Sequence, residues 1–348
     1  MAAADNWPIP SMEFLAPSRQ DGEADMDDVL QLTRSIRLRS PGGEASAAAT
    51  DGDGDAATVV KVMPSPSLRP KRKPPQGWEY EASIDATLQA TERHPAERPS
   101  PDYLRDTQAG QEGITAASRA ELVDAMTDFS RHYRLAAGTP HRAAAFVDRF
   151  LSSRKLGAIA GGGDKLGILG GAAVLAAGKY EDRLLLHVIG ARQAAELGEC
   201  SRREVLAAER QLVAALGYRL GGPTAYTFVD HFTRHIVEGE EDEEAAAVWL
   251  LAHHLADMAL LSYRCVAFLP SVVAASAVLL AGLVVGYPEM AAPVAGYTME
   301  ELSECVDAIY DVHASEPPPG FGRMMARWEA THGRYSLPPQ STLADLYC

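Results

Sequence analysis

Few residues of this chain are spaced for catalysis or metal binding. The loop Gly161-Gly162-Gly163-Asp164-Lys165 comes nearest to a phosphate cradle. It has neither P-loop spacing nor G-x-G-x-x-G, and no strand precedes it, so it reads as a flexible helix connection. His231 and His235 stand four apart on a helical segment and could share a metal. Without H-E-x-x-H or a third ligand nearby they read as residues of an amphipathic helix. His253 and His254 are adjacent, so they point to different helix faces. Cys200, Cys265, Cys305 and Cys348 are widely separated with no C-x-x-C. That gives no support to a disulfide framework or a structural zinc, and it suits a reducing compartment. No G-x-S-x-G occurs. The expectation is a protein that is not an enzyme, with no catalytic residue, no metal and no cofactor.

Four charges are more informative, because they sit on or beside apolar helical stripes. Lys179 continues the stripe Ile168, Ala172, Leu175. Glu209 lies within Val205, Leu212, Val213, Leu216, and Arg119 comes one turn before Leu122 and Val123. Asp148 lies beside the Phe146–Phe150 stripe. A charge on a burying face must find a partner or emerge at a contact surface. Arg119 with Asp148 is one internal pairing, and Lys179 and Glu209 could instead grip a partner at a groove. The alternative is that all four snorkel or sit on stripe edges.

The elements that carry these residues are helical throughout. Ser118-Arg119-Ala120-Glu121 and Ser201-Arg202-Arg203-Glu204 have the capping-box pattern. Thr139-Pro140 reads as an N-cap with proline at the first helical position. The pattern predicts helices from Asp164 to about Asp182 and from Ser201 to near Leu216. After the break at Gly221-Gly222-Pro223, more follow over Thr224–Val237, Glu243–Leu261, Leu269–Val285, Thr298–His313 and near Phe321–His332. Strand-type alternation is scarce, so the fold class is all-α. Gly170–Gly178 and Ala274–Gly282 echo each other as small-residue helices, which fits two tandem helical domains split near Gly222.

Composition narrows the class further. The 348 residues carry 32 Lys and Arg against 47 Asp and Glu, a formal net charge of −15. That argues against nucleic acid as a partner, since phosphate binding needs a basic footprint. Val266–Val285 is uncharged, and a membrane span needs about 20 apolar residues. Pro270, Ser271 and Ser276 interrupt it, so it reads as a buried core helix and no membrane is expected. Residues 1 to about 75 are Ala/Gly/Asp-rich and almost without aromatics beyond Phe14, the composition of a disordered arm. At its end Arg69, Lys71, Arg72 and Lys73 form a basic run that suits nuclear import, or else serves as a solubilising linker.

A collinear set of segments then resembles the cyclin family. Arg119–Asp124, His132-Tyr133-Arg134-Leu135, Val147–Ser152, Lys165–Gly170, Ala177–Asp182, Glu204–Glu209 and Gly217–Thr224 are similar to an N-terminal cyclin box in order and spacing. Leu261-Ser262-Tyr263, Phe268–Ala277 and Gly296–Leu302 resemble the C-terminal box of A- and B-type cyclins. Arg98–Leu104 looks like the lead-in. The Ala/Gly-rich wording resembles a divergent plant cyclin, of the grass cyclin-F group. The resemblance implies two tandem five-helix boxes preceded by a short helix near Ser83–Glu92. The implied organisation is an arm over 1–78, a helix and lead-in over 79–116, an N-terminal box over 117–221, and a C-terminal box with tail over 222–348. It implies the regulatory subunit of a cyclin-dependent protein kinase, in a heterodimer, acting in cell-cycle control in the nucleus, with the cytoplasm as a second location. Lys179, Tyr180, Glu181 and Glu209 match the kinase-contacting residues, and Arg119 with Asp148 matches the buried structural pair.

The sequence also departs from the family pattern. In the substrate-docking patch, Ser118 and Ala125 replace a Met and a Trp, Gly167 replaces a Gln, and Glu121 replaces an apolar residue. Leu122 and Leu166 persist, so the patch reads as degraded. Tyr180 stands where the family has Phe, and Leu184-Leu185-Leu186 replaces prolines after the acidic pair. The alternative function is accordingly a degenerate cyclin that binds a kinase, or serves as a cyclin-fold scaffold, without activating it.

Overall fold

The computed structural model describes residues 78–181, 189–237, 243–286 and 296–314, with scattered positions between 326 and 339. Arg69, Lys71, Arg72 and Lys73, the Leu184–Leu186 stretch and most of the expected last helix lie outside the described residues. Every regular element among the described residues is helical.

A first helix, α1 (Trp78–Glu92), leads through a short turn at Tyr103–Asp106 into five helices. These are α2 (Ala116–His132), α3 (Thr139–Ser153), α4 (Lys165–Glu181), α5 (Ala191–Leu197) and α6 (Arg202–Ala215). Helix α4 is the axis of this bundle, with α2, α3, α5 and α6 packed around it. Its composition explains the role: every residue from Leu166 to Gly178 is buried. A Cβ on Gly171 would fall 2.3 Å from the Ala194 carbonyl oxygen, and one on Gly170 would fall 2.5 Å from Leu122 Cδ1. Only glycine lets the neighbours approach that closely.

Beyond Gly222 the second bundle repeats the plan. It holds α7 (Ala225–Val237), α8 (Glu243–Leu261), α9 (Pro270–Val285) and α10 (Met299–Ala314). Helix α9 is the central element, buried from Val273 to Gly282 and stopped by Gly286 in the left-handed conformation (φ 79°). The apolar stretch before Val285 is thus a core helix. Helix α8 is long and apolar enough to cross a membrane, but 67% of its apolar window is buried inside the protein.

Two helix starts differ from the pattern reading. Helix α2 begins at Ala116, two residues before Ser118. Thr115 is the N-cap, and Ser118 is the third helical residue, returning its hydroxyl to the Thr115 backbone N–H at 2.8 Å. Thr115 is extended (φ −137°), which frees its own oxygen to accept from Ser118 N–H. Helix α3 is capped by Gly138, with Thr139 already its first residue. The Ser201–Glu204 capping box opens α6 as the spacing predicts, and the Asp164 carboxylate accepts from the Leu166 and Gly167 amides at the start of α4. Helix α5, seven residues long, has no counterpart among the helices expected from periodicity.

Candidate functional site

Helix α4 runs buried for thirteen residues and then delivers Lys179, Tyr180 and Glu181 to the surface. Glu209, on α6, meets the first of these: Lys179 Nζ lies 2.6 Å from Glu209 Oε1. The Lys179 side chain is 39% exposed and that of Glu209 13%. The pair is thus open to solvent on the Lys179 side and largely covered on the Glu209 side, so the ammonium is free to meet a partner surface. Tyr180 is 51% exposed, one of few large apolar residues at the described surface. Opposite charges and an aromatic ring thus share one edge of the first bundle.

Behind that edge sits a residue that the sequence reading did not single out. Arg142, on α3, is buried and donates from Nε to Glu181 Oε1. Its Nη1 donates to the carbonyls of Leu220 (2.6 Å) and Gly222 (2.9 Å), and its guanidinium lies 4.2 Å from the centre of the Tyr180 ring. Glu181 is therefore turned inward, half-buried on Arg142. Seven residues on, Arg149 donates to the Arg219 carbonyl at 3.0 Å and pairs with Glu97 at 2.8 Å. Burial pushes the Arg149 pKa down, against the pull of Glu97. The usable signal was Arg142, Phe146 and Arg149 at i, i+4 and i+7, which places two arginines on a burying stripe.

The other two conspicuous charges meet in the interior. Arg119 donates from Nε and Nη2 to both carboxylate oxygens of Asp148, each at 2.7 Å. The side chains are 2% and 7% exposed. Tyr103 adds a hydrogen bond to Asp148 Oδ1 at 2.9 Å, and Arg119 Nη1 donates to the Leu260 carbonyl of α8 at 2.7 Å. Burial opposes the Arg119 charge, but Asp148 outweighs it and holds the guanidinium pKa above its ordinary value. Burial, reinforced by Asp148, raises the Tyr103 phenol. A second junction lies nearby. Asp257 of α8 accepts from Arg131 of α2 and bonds His141 of α3, each at 2.9 Å. Burial works against its charge, yet His141 and Arg131 prevail and keep its carboxyl below the usual range.

With this geometry in view, residues 84–221 match the family described as cyclin, N-terminal domain, and residues 223–321 match cyclin, C-terminal domain. In Oryza sativa subsp. japonica, cyclin-F1-2 is 41% identical over 264 residues, 74% of this chain and 70% of that protein. The chain belongs to the cyclin family. Cyclin-F2-1 and cyclin-F2-2 of the same rice are 45% and 42% identical over 264 residues, again 74% of this cyclin. The match spans 64% and 56% of their lengths, less than two thirds of each. The relatives place this plant cyclin with the cyclin-F group. The family is regulatory rather than catalytic.

The remaining predicted positions can now be placed. In this cyclin Ser118 is taken up by the α2 cap, and Leu122, Leu166 and Gly167 are buried. Leu122 turns inward onto Gly170, and Gly167 faces Gly198 so closely that a Cβ would fall 3.0 Å from its Cα. Ala125 is half-buried and Glu121 exposed, so these positions offer no continuous apolar surface. His253 bonds Asp230 at 2.9 Å while His254 stacks on Trp328, on different faces of α8.

Proposed function

We propose that this cyclin is the regulatory subunit of a cyclin-dependent serine/threonine kinase, which it binds and activates in cell-cycle control. The observation that carries the reading is the paired Lys179 and Glu209 beside the exposed ring of Tyr180, presented at the end of a fully buried helix. The rigid axis fixes where these groups stand, and their opposite charges suit the charged, helical surface of a kinase. The cyclin does no chemistry in this reading. It holds the regulatory helix of the kinase so that the catalytic Lys–Glu ion pair and the activation loop can be arranged. Such an interface buries upwards of about 1,200 Å² in total. A heterodimer in the nucleus, reached through the basic run ending the arm, completes the proposal.

The test is co-purification of the tagged cyclin with a cyclin-dependent kinase from dividing plant cells, followed by phosphotransfer by the eluate. Lys179→Glu and Glu209→Lys should each abolish retention of the kinase while the far-ultraviolet circular dichroism stays wild-type. Retention by both variants would refute the assigned edge. A retained kinase without activity, its activation loop phosphorylated, would favour a degenerate cyclin, the reading to which the buried Leu122 and exposed Glu121 lend support.

A further inference from the structure

We propose that Arg142 is the positioning residue of the kinase-facing edge, locking Tyr180 and Glu181 to the linker between the two boxes. What the edge meets rests on the function proposed above, but the lock itself is a property of the free cyclin.

The argument begins with what one guanidinium is asked to do. Its edge serves Glu181 Oε1 and the carbonyl oxygens of Leu220 and Gly222, while its face covers the Tyr180 ring. These partners belong to two separate stretches, the last turn of α4 and the linker that follows α6. A planar cation with a fixed fork of donors can satisfy both at once; an ammonium on a flexible stem cannot. Arg142 is 6% exposed, so each of these bonds is made away from competing water. Removing the guanidinium would leave two carbonyls and a carboxylate to find other donors.

The seat of Tyr180 is shaped on its other side as well. A Cβ on Gly221 would fall 2.8 Å from the Tyr180 hydroxyl oxygen, and no positive φ demands glycine at that position. The missing side chain leaves the ring its present seat, and a methyl group there would push the hydroxyl end of Tyr180 aside. Arg149 holds the preceding carbonyl of the same linker, so α3 grips the chain between the boxes at Arg219, Leu220 and Gly222 with two arginines. The consequence is that the linker and the aromatic edge cannot move independently. A shift of the second box relative to the first is felt at Tyr180.

Three variants test this: Arg142→Leu, Arg142→Lys and Gly221→Ala, compared with Lys179→Glu. Amide hydrogen exchange of the free cyclin is read first. Arg142→Leu should raise exchange about tenfold at residues 179–181 and at the bonded Arg219 and Thr224 amides that flank the linker, the loss expected for bonds to a charged group. Protection within α9, remote from the lock, should not change. Gly221→Ala, which crowds only the ring, should disturb 179–181 without removing any donor, and it decides the matter should Arg142→Leu fail to fold. The second readout is the Kd for the purified kinase, expected to weaken about tenfold in Arg142→Leu and nearly as much in Arg142→Lys. Unchanged exchange at both stretches, or rescue by lysine to wild-type exchange and Kd, would overturn the proposal. If Lys179→Glu and Glu209→Lys both still bind the kinase, the assigned edge falls, whereas the exchange data still decide whether Arg142 locks Tyr180 and Glu181 to the linker.

Discussion

Replacing Asp148 with alanine isolates the energetic weight of the internal ion pair. The substitution removes both 2.7 Å bonds from Arg119 and the 2.9 Å bond from Tyr103. It leaves a guanidinium only 2% exposed with no anionic partner, held by the neutral Leu260 carbonyl and the Tyr103 hydroxyl. Breaking a buried pair on one side costs about 3–5 kcal/mol, because the surviving charge stays desolvated. Against a total stability of roughly 5–15 kcal/mol that is a large share, and it should lower the Tm by roughly 10 °C. Arg119→Met should cost a similar amount, by stranding the carboxylate. The double variant, Arg119→Met with Asp148→Leu, removes both desolvated charges and should cost several kcal/mol less than the sum of the two singles. Urea unfolding followed by circular dichroism measures all three, provided the slope with denaturant is shared. A cost below about 1 kcal/mol for Asp148→Ala would refute the reasoning, as would a double variant whose cost equals the sum.

Two further outcomes follow from other parts of the fold. Gly171→Ala should destabilise by about 1–3 kcal/mol, since its Cβ would sit 2.3 Å from the Ala194 carbonyl, whereas Gly162→Ala, with open space around it, should be close to neutral; thermal unfolding distinguishes them. Stability should also fall as the pH drops from about 6.5 towards 4, because burial holds the His313 pKa down at about 4 against an ordinary 6.5. The unfolded chain then takes up the proton first, a loss of at most about 3 kcal/mol that is absent above pH 6.5 and that His313→Gln should flatten in a pH series of melts.

What could be read from the chain alone followed the range of the interactions. The Ser201–Glu204 cap is legible because both partners lie within four residues. The start of α2 was misplaced because Thr115 and Ser118 can each serve as a cap, and the extended backbone at Thr115 that decides between them is set by the loop before it. Arg119 and Asp148 stand out as opposite charges beside apolar stripes. Their third partner, the carbonyl of Leu260, carries no side-chain signature. Arg142 was overlooked for the same reason: two of its acceptors are backbone oxygens about 80 residues away, and backbone oxygens are alike in every sequence. Helix α5 is too short for a period to declare itself.

The bond from Arg119 to Leu260 spans 141 residues, and this distance governs how the chain is made. At a synthesis rate of about 5–20 residues per second, Leu260 emerges from the ribosome roughly 7–30 s after Arg119. The Tyr263 hydroxyl, which accepts from the Leu104 amide, comes later still. From the end of α6 until Leu260 and Tyr263 are made, the nascent first box has its helices in the chain but lacks the acceptors that complete its base. The two boxes are thus sequential in birth, and the first is completed only when the end of α8 and the Tyr263 that follows it have been translated.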